Sequence, residues 1–237
     1  MNVAIIPARG GSKRILRKNL RHFCGQPIVA YSINTALESG LFDHVVVSTD
    51  DPEIASLTLK LGAEVPFVRP VELADDNAST LAVMQHAVRM CQASGWPIKQ
   101  LCCLYATAPF VEVEDLRAGL QLLGSPGKEG LVQYAFTATS FGFPVQRAIR
   151  LNSLGAVQSV WPENIPKRSQ DLEPLFHDAG QFYWGRASAF ESMLPIFASH
   201  SRALLIPSHR VQDIDNEEDW VRAEWLYRAW KSSVAAP

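Results

Sequence analysis

The sequence predicts an α/β fold in which helices cover both faces of a mainly parallel sheet. Short apolar segments rich in β-branched residues alternate with segments of helical period over the first half of the chain. That alternation is typical of parallel strands joined by crossover helices. The 237 residues are 47% hydrophobic and 19% charged, a globular composition that excludes a disordered or low-complexity chain. We expect residues 1–237 to form a single domain with an inserted arm at about 140–177.

The first half of the chain carries clear signals for where its helices begin and end. Residues 51–61 open with an acid, a proline and another acid, which favour a first helical turn, and they stop at Gly62. Residues 27–38 likewise end just before Ser39 and Gly40. The predicted strands are residues 3–6, 44–48, 64–68 and 100–105, and the predicted helices are residues 27–38, 51–61, 79–93 and 113–123.

After Gly124 the alternation of strand and helix signals becomes less regular. Residues 125–128 predict a turn, and strands are predicted at residues 131–137, 182–185 and 204–207. Residues 140–177 contain too many glycines and prolines for a core layer. Their persistent apolar side chains nevertheless predict an arm that packs against something, such as a second subunit.

The last predicted helix has the strongest signal. Asn216 is a good N-cap, and the three acids that follow it favour the first turn of a helix. Trp220, Ala223, Leu226, Tyr227 and Trp230 recur at helical spacing. We expect the tryptophans of this helix to lie in the core.

The net charge of −2 conceals an uneven distribution. Residues 1–37 contain six bases and no acid, so the remaining 200 residues carry 16 bases against 24 acids. A concentrated basic segment on a mildly acidic chain indicates a local anion site, and no nucleic-acid partner is expected.

Cysteine spacing and hydropathy predict a cytoplasmic protein with no membrane partner. The longest apolar run is six residues, 101–106, far below the roughly 20 that span a bilayer. No secretory signal is expected at the N-terminus. The four cysteines have no C-x-x-C spacing, which favours reduced thiols over a disulfide framework or a zinc site.

Residues 7–19, PARGGSKRILRKN, form the most informative segment. They follow the first predicted strand directly, and ligands of an open parallel sheet bind at that end of the strands. Gly10 and Gly11 allow close backbone approach and positive φ, so that amide groups can converge on phosphate oxygens. Arg9, Lys13 and Lys18 add positive charge, and Ser12 adds a hydroxyl donor.

An ordinary turn with a solvated basic face is the alternative interpretation of residues 7–19. Neither G-x-x-x-x-G-K-[ST] nor G-x-G-x-x-G occurs in the chain. An NTPase of the P-loop class and a dinucleotide-dependent dehydrogenase are therefore disfavoured.

Asp213 and Asp215 form a candidate metal site. In an extended segment, residues i and i+2 point to the same side, so the two carboxylates converge. Mg²⁺ takes one or two carboxylates together with phosphate oxygens and water, and phosphoryl transfer uses such an ion to offset developing charge. The alternative is that Asp215 only starts the last helix and Asp213 is a surface acid.

Weaker candidates lie elsewhere. Residues 178–181 precede an apolar segment and could present polar groups to a substrate, or could form only a turn. Arg147 and Arg168 lie in the predicted arm, where each would pair with a carboxylate or remain solvated. Asp50 and Asp51 are more typical of a helix cap than of ligands.

Residues 6–19 resemble the opening of the cytidylyltransferases that activate 2-keto-3-deoxy sugar acids. Leu16 departs from that pattern, since relatives usually have proline there, which places the stiffness of the loop in doubt. Within the family, residues 106–110, 143–147, 168–171 and 177–185 are more similar to enzymes acting on pseudaminic acid than to those acting on sialic acid. The other matching segments, in the family's order, are residues 47–50, 69–75, 106–109 and 213–215.

This resemblance implies a Rossmann-like nucleotidyltransferase sheet and a homodimer formed through the arm. It also implies Mg²⁺-dependent transfer of CMP from CTP to the anomeric hydroxyl of a nine-carbon sugar acid, here pseudaminic acid, with release of diphosphate. Sialic, legionaminic and 3-deoxy-manno-octulosonic acids are alternative acceptors. A non-catalytic nucleic-acid-binding protein is the alternative from a different class.

Individual roles follow from the matching positions of the family. Lys18, Arg9, Asp213 and Asp215 are expected to be catalytic, and the two aspartates to hold the metal. The residues expected around CTP are Ala8, Arg9, Gly10, Gly11, Ser12, Lys13, Lys18 and Asn19, with Arg69, Ala78 and Thr80 at the cytosine. Those expected around the sugar acid are Thr107, Arg147, Arg168, Asp178 and Gln181, with the two arginines reaching over from a neighbouring subunit.

Overall fold

The computed structural model describes residues 1–127 and 130–235. Its helices are α1 (Ile28–Ser39), α2 (Pro52–Lys60), α3 (Thr80–Ala93), α4 (Val113–Leu123), α5 (Ala187–Glu191) and α6 (Glu217–Ala235). Its strands are β1 (Asn2–Pro7), β2 (His22–Phe23), β3 (Gln26–Pro27), β4 (His44–Ser48), β5 (Gln100–Leu104), β6 (Pro126–Gly127), β7 (Gly130–Leu131), β8 (Tyr134–Ser140), β9 (Ile149–Leu151), β10 (Val157–Ser159), β11 (Phe176–Arg186) and β12 (Ser201–Leu205).

Six strands form the central sheet in the order β12-β8-β11-β5-β1-β4. Pairing is parallel between β1 and β4, β1 and β5, and β12 and β8. The two pairs made by β11 are antiparallel. Five strands therefore run in one direction against β11 alone, which confirms the predicted mainly parallel α/β fold.

Alternate residues of β1 explain why both faces of the sheet are covered. Ala4 and Ile6 belong to one buried cluster, which includes Val29 of α1 and Leu116 of α4. Val3 and Ile5 belong to a second buried cluster on the opposite face, which includes residues of α3 and α5. Because successive side chains of a strand point to opposite sides, one apolar strand supports both layers.

The N-terminal caps read from the sequence are present. The Oδ1 atom of Asp51 accepts hydrogen bonds from the backbone amides of Glu53 and Ile54 at 2.9 and 3.0 Å. At the start of α6, Asn216 Oδ1 accepts from the Asp219 amide at 3.0 Å, and Asp219 Oδ2 accepts from the Asn216 amide at 3.2 Å. This reciprocal pair is a capping box.

The expectation that all tryptophans of α6 lie in the core is wrong for one of them. Trp220 and Trp230 are buried against Phe23 and Phe110, whereas Trp225 is 66% exposed. At about 100° per residue, Trp225 lies roughly 140° around the helix from each of the other two. It therefore faces away from the core.

Other differences concern strand boundaries. Residues 64–68 touch β4 only through isolated bridges at Glu64 and Val68 and form no strand, because Pro66 between them lacks a backbone donor. The predicted strands near residues 131–137 and 204–207 are displaced, since β8 begins at Tyr134 and β12 ends at Leu205. In the predicted turn, Lys128 lies outside the described residues.

The segment predicted as an inserted arm leaves the central sheet at the end of β8 and returns at the start of β11. Its strands β9 and β10 pair only with each other among the described residues. Most of its large apolar side chains are solvent-exposed, with Phe143 at 88% and Leu154 at 91%, whereas Leu172 is buried. None of the described helices combines the length and apolar character needed to cross a bilayer.

Candidate active site

A cleft of about 520 Å³ lies at the carboxyl ends of β1 and β5. The loop after β1 forms one wall, the segment leading into α3 forms another, and Asp215 comes from the segment before α6. The predicted site residues that line this cleft are Arg9, Ser12, Lys13, Lys18, Asn19, Arg69, Ala78, Thr80, Thr107 and Asp215.

The loop after β1 is held by polar contacts to its neighbours. The Ala8 amide donates to the Ser48 carbonyl at 3.0 Å, and the Gly10 amide donates to Asp50 Oδ1 at 3.0 Å. Asn19 Nδ2 donates to the Arg9 carbonyl at 2.9 Å, which draws the two ends of the loop together. The Ala8 side chain is fully buried. Only the backbone groups of Ala8 can therefore contribute to the surface of the loop.

Gly10 and Gly11 permit positive φ, but neither adopts it. Gly10 is required for space, because a Cβ atom there would lie 2.5 Å from Asp51 Oδ2. The left-handed residue of this loop is Arg17, with φ of 53°. Its guanidinium pairs with Asp51 and Glu53, which ties the loop to the start of α2.

Two cations of the loop converge on one carboxylate. Arg9 Nη2 and Lys13 Nζ each lie 2.6 Å from an oxygen of Asp76. The hydrogen bonds from Lys13 and Arg9 lower the pKa of Asp76. The two side chains are therefore already arranged to share a single anionic group, as a phosphate would be shared.

Lys18 connects this loop to the acidic segment. Its Nζ donates to the backbone carbonyl of Ile214, beside Asp213 and Asp215. Burial lowers the pKa of Lys18, and the charges of the two aspartates oppose that shift. Arg14 Nη2 lies 2.7 Å from Asp215 Oδ1, so two residues of the loop reach the segment before α6.

The two aspartates face different pockets. Asp215 lines the cleft, whereas Asp213 lines a second pocket of about 320 Å³ that Asp178 also lines. Partial burial raises the pKa of Asp213, and the like charge of Asp215 raises it further. Within the described residues, no three or more acidic, histidine or cysteine side chains are grouped to hold a metal. An ion here would therefore take two carboxylates and complete its shell from a ligand.

Arg69 and the turn before α3 build the far wall of the cleft. Arg69 Nε donates to Ser48 Oγ at 3.1 Å, and its guanidinium also donates to the Ser48 carbonyl. Burial lowers the pKa of Arg69 to about 10, while the charge of Asp50 opposes that shift. The Ala78 amide donates to Asp75 Oδ1 at 2.8 Å, and Thr80 begins α3.

The second pocket is shaped by an irregularity in β11. The prediction that residues 178–181 precede the strand is wrong, since β11 begins at Phe176 and its pairing with β8 shifts register between Asp178 and Tyr183. Gly180 has φ of +61° there, and its amide donates to Asp178 Oδ1 at 3.1 Å. A register shift of this kind re-aims a side chain beside a site.

Gln181 lies behind the second pocket and is buried. Its Nε2 donates to the Arg210 carbonyl at 2.6 Å, and its Oε1 has no hydrogen-bond partner among the described residues. Arg210 in turn pairs with Asp115 at 2.7 Å and with Glu112 at 2.6 Å. This ion cluster fixes the segment that carries Asp213 and Asp215 against α4.

Besides Gln181, two predicted substrate residues, Arg147 and Arg168, lie outside both pockets. Arg147 donates to the Lys167 carbonyl, and Arg168 Nε lies 2.9 Å from Asp171 Oδ2. Both pairs are formed within the arm. Within one protomer, the arm therefore brings neither arginine to the lining of the cleft.

Eight residues that line the cleft were not among the predicted site residues. Three of them bear on the chemistry of the site: Arg14, which pairs with Asp215, Asp76, which pairs with Arg9 and Lys13, and Tyr105, which follows β5 directly. The other five are Pro7, Leu73, Asp75, Val83 and Ala106. The position of Tyr105 was the available signal, because it occupies the same edge of the sheet as the loop after β1.

Three comparisons with known proteins match this chain over most of its length. The profile of the family described as Cytidylyltransferase matches residues 3–201. The pseudaminic acid cytidylyltransferase of Campylobacter jejuni is 43% identical over 227 residues, which cover 96% of each chain. The CMP-N,N'-diacetyllegionaminic acid synthase of Legionella pneumophila is 28% identical, with 94% of this chain and 95% of that protein covered. The structure of CMP:2-keto-3-deoxy-manno-octonic acid synthetase complexed with CTP covers 97% of this chain and 99% of its own, with a TM-score of 0.69 and 18% identity.

Proposed function

The chain belongs to the cytidylyltransferase family, and from that premise we propose that it transfers CMP from CTP to the anomeric hydroxyl of pseudaminic acid, releasing diphosphate. The choice of acceptor is supported by the 43% identity to the Campylobacter jejuni enzyme over 96% of both chains. The observation that carries the reaction is the junction of the cationic loop with the acidic segment. Arg14 and Lys18 contact that segment at Asp215 and Ile214, beside the cleft.

Arg9 and Lys13 are proposed to bind the phosphates of CTP. Both already pair with the carboxylate of Asp76. A triphosphate would replace that carboxylate as their partner and carries more negative charge. Ser12 and the backbone of Ala8, Gly10 and Gly11 would add donors in the same loop. Asn19 is proposed to hold the loop in shape through the Arg9 carbonyl and to reach the ribose.

Arg69, Ala78 and Thr80 are proposed to bind the cytosine. All three line the cleft opposite the loop after β1. The bonds from Arg69 to Ser48 fix the direction of its guanidinium group before any base binds. Such preorganisation reduces the entropy lost on binding.

Asp213 and Asp215 are proposed to hold Mg²⁺. Asp215 presents its carboxylate to the cleft and Asp213 lines the neighbouring pocket, and Mg²⁺ takes one or two carboxylates together with phosphate oxygens and water. When bound, the ion supplies positive charge that offsets the charge developing on the phosphates. The pairing of Asp215 with Arg14 and the contact of Lys18 with Ile214 hold the segment in place.

Lys18 and Arg9 are proposed to act on the reaction itself. A weak hydroxyl nucleophile must be held in line with the α-phosphorus while negative charge builds on the leaving diphosphate. Lys18 is fixed beside the cleft by its bond to Ile214, so its ammonium can stabilise that charge without reorganising. Lys18 and Arg9 belong to the same loop. That loop would therefore supply both the groups that bind the α-phosphate and the groups that stabilise the leaving diphosphate.

The sugar acid is proposed to occupy the second pocket and the adjoining edge of the cleft. Asp178 and Asp213 line that pocket, and carboxylates accept hydrogen bonds from sugar hydroxyls. Gln181 supports its rear wall through the Arg210 carbonyl. Thr107 follows β5 at the edge of the cleft.

A homodimer formed through the arm is proposed to complete this site. The arm exposes Phe143, Ile149, Leu151, Leu154 and Val157, and a concentration of exposed apolar side chains is typical of a protein–protein contact surface. Arg147 and Arg168 lie on the same arm, and each would then meet the carboxylate of the sugar acid bound to the partner. The free thiols of all four cysteines suit a reducing cytoplasm.

The test is turnover of a panel of acids by purified protein with CTP and Mg²⁺, followed by diphosphate release. We expect pseudaminic acid to give the highest kcat/KM, with legionaminic, sialic and 3-deoxy-manno-octulosonic acids lower. Exclusive turnover of one of the other acids overturns the proposed substrate. Failure of every acid, with RNA or DNA bound in a salt-dependent manner, overturns the enzymatic proposal.

A further inference from the structure

Two hydrogen-bonded pairs, joined by a contact between tyrosine rings, lie between the nucleotide cleft and the second pocket. Thr80 Oγ1 lies 2.9 Å from Tyr105 Oη, and the Tyr183 hydroxyl donates to Asp178 Oδ2. The rings of Tyr105 and Tyr183 meet edge to face with centroids 5.6 Å apart. Thr80 and Tyr105 line the cleft, whereas Asp178 lines the second pocket.

The chemistry of Asp178 sets the direction of its hydrogen bond with Tyr183. An ionised carboxylate only accepts, so Tyr183 must give its single proton to Asp178. Thr80 and Tyr105 share a separate hydrogen bond, in which either hydroxyl can be the donor. The two pairs are in contact through the tyrosine rings.

The two tyrosines are held rigidly by the sheet. Tyr183 is only 4% exposed and lies opposite Cys103 in the pairing of β11 with β5. The Tyr105 amide donates to the Gln181 carbonyl at 2.9 Å, two residues before Tyr183. Burial raises the pKa of Tyr105 to about 12 and that of Tyr183 higher still, so both hydroxyls keep their protons and stay donors at neutral pH.

Tyr134 provides a contrast on the neighbouring strand. It is also buried in the same apolar cluster as Tyr183, but its hydroxyl has no hydrogen-bond partner among the described residues. Burying a hydroxyl without a partner is costly. Burial of a tyrosine in this part of the sheet therefore does not by itself require the series of contacts that Tyr105 and Tyr183 make.

We propose that Tyr105 and Tyr183 are positioning residues that hold the Asp178 carboxylate in the second pocket and connect it to Thr80 in the nucleotide cleft. One Asp178 oxygen is held by the Gly180 amide and the other by Tyr183. The carboxylate is thereby fixed before substrate enters. The inference rests on the proposed function in that the second pocket takes the sugar acid.

The first test compares Tyr183→Phe with Tyr134→Phe as a matched control. Tyr183→Phe removes one hydrogen bond to a charged group, so we expect it to raise KM for the sugar acid about tenfold. The affinity for CTP alone, measured by calorimetry, stays within about twofold, since Thr80 and the cleft are unchanged. Tyr134→Phe leaves both quantities unchanged. Equal effects of the two substitutions on KM would overturn the proposal.

The second test is a double-mutant cycle with Asp178→Asn. If Tyr183 acts through Asp178, Tyr183→Phe has no further effect on KM for the acid in the Asp178→Asn background. Tyr105→Phe should raise KM for the acid by less than Tyr183→Phe does, because it is one contact further away. Additive effects of Tyr183→Phe and Asp178→Asn show independent roles and overturn the positioning role.

The acid used in both tests is the one that the wild-type protein turns over best. The tests therefore remain valid if the preferred substrate is not pseudaminic acid. Should the wild-type protein turn over none of the acids, the proposed function fails by itself. Binding of each acid to the CTP-loaded protein, measured by calorimetry, then carries the same comparison of variants. Weaker binding caused by Tyr183→Phe but not by Tyr134→Phe supports the positioning role, and equal binding overturns it.

Discussion

Lys18 donates through its Nζ atom to the backbone carbonyl of Ile214, although the two residues are 196 positions apart in the chain. This contact places a half-buried ammonium group beside both Asp213 and Asp215. It also joins the loop after the first strand to the segment that leads into the last helix. The catalytic proposal depends on that junction.

Replacement of Lys18 by methionine should lower kcat by a factor of about 10² to 10³, with a smaller change in KM for CTP. The reason is that a fixed cation stabilises charge that develops mainly in the transition state. Lys60→Met is the matched control, because Lys60 is an exposed lysine at the end of α2 and lines neither pocket. Steady-state kinetics of both variants decide the matter. A Lys18→Met enzyme that changes only in KM contradicts this role.

Asp215→Asn should abolish turnover while leaving the fold intact. The carboxylate lines the cleft and pairs with Arg14, so its charge serves the site and contributes little to the core. Diphosphate release is measured across a titration of Mg²⁺, together with circular dichroism and thermal unfolding. Glu218→Gln, at an exposed residue in the first turn of α6, is the control. Near-normal rates at saturating Mg²⁺ would remove Asp215 from the metal site.

The fold and the position of the cationic loop after β1 could be predicted because each depends on local patterns. Apolar strands, the cap at Asp51 and the capping residue Asn216 were all read correctly from neighbouring residues. The reason for glycine at position 10 was not, because it lies in a contact with Asp51, which belongs to a distant segment. The register shift in β11 was missed for the same reason, because pairing with β8 sets it.

The partners of the cations also could not be predicted. Asp76 looked like one surface acid among several, and only the folded structure brings it to both Arg9 and Lys13. Tyr105 carries no motif of its own. Its role depends on Tyr183 and Asp178, which belong to another strand.

His86 should make the protein less stable in mild acid. Burial lowers the pKa of His86, and the charge of Arg69 adds to that shift. The folded state therefore binds a proton less readily than the unfolded state, whose histidine titrates at about 6.5. The stabilising contribution is complete above that pH and is lost as the pH falls through the lower folded value.

The measurement is the midpoint of urea unfolding between pH 8 and pH 5 for the wild type and for His86→Leu. We expect the variant to lose less stability over that range than the wild type. His22→Leu, at an exposed histidine, serves as the control and should follow the wild type. Parallel curves for all three proteins would show that His86 does not contribute to the acid sensitivity.

Mixed dimers can show whether the arm reaches a neighbouring site. Arg168→Ala and Asp215→Asn are each expected to be nearly inactive alone. In a mixed dimer, the Arg168→Ala subunit keeps an intact cleft and receives an intact arm from the other subunit. Random mixing of the two variants should therefore restore about a quarter of wild-type activity.

Leu154→Asp tests the same arm through assembly. A charge at a side chain that is 91% exposed in the protomer should disfavour burial in an interface and shift sedimentation towards the monomer. Phe197→Ser is the control, because Phe197 is also exposed but lies outside the arm. A wild-type protein that sediments as a monomer, or mixtures with no regained activity, would contradict a shared site.

Arg210 is expected to be the largest single electrostatic contributor to folding near the site. Its side chain is 9% exposed and pairs with Asp115, which is 10% exposed, at 2.7 Å. Arg210→Met leaves that carboxylate buried without its partner and should cost about 3–5 kcal/mol in the free energy of unfolding. Arg210→Met combined with Asp115→Leu removes both charges and should recover most of that loss. If the double variant is as unstable as the single one, packing of the Arg210 stem and its bond to the Phe110 carbonyl hold the acidic segment, and the ion pair does not.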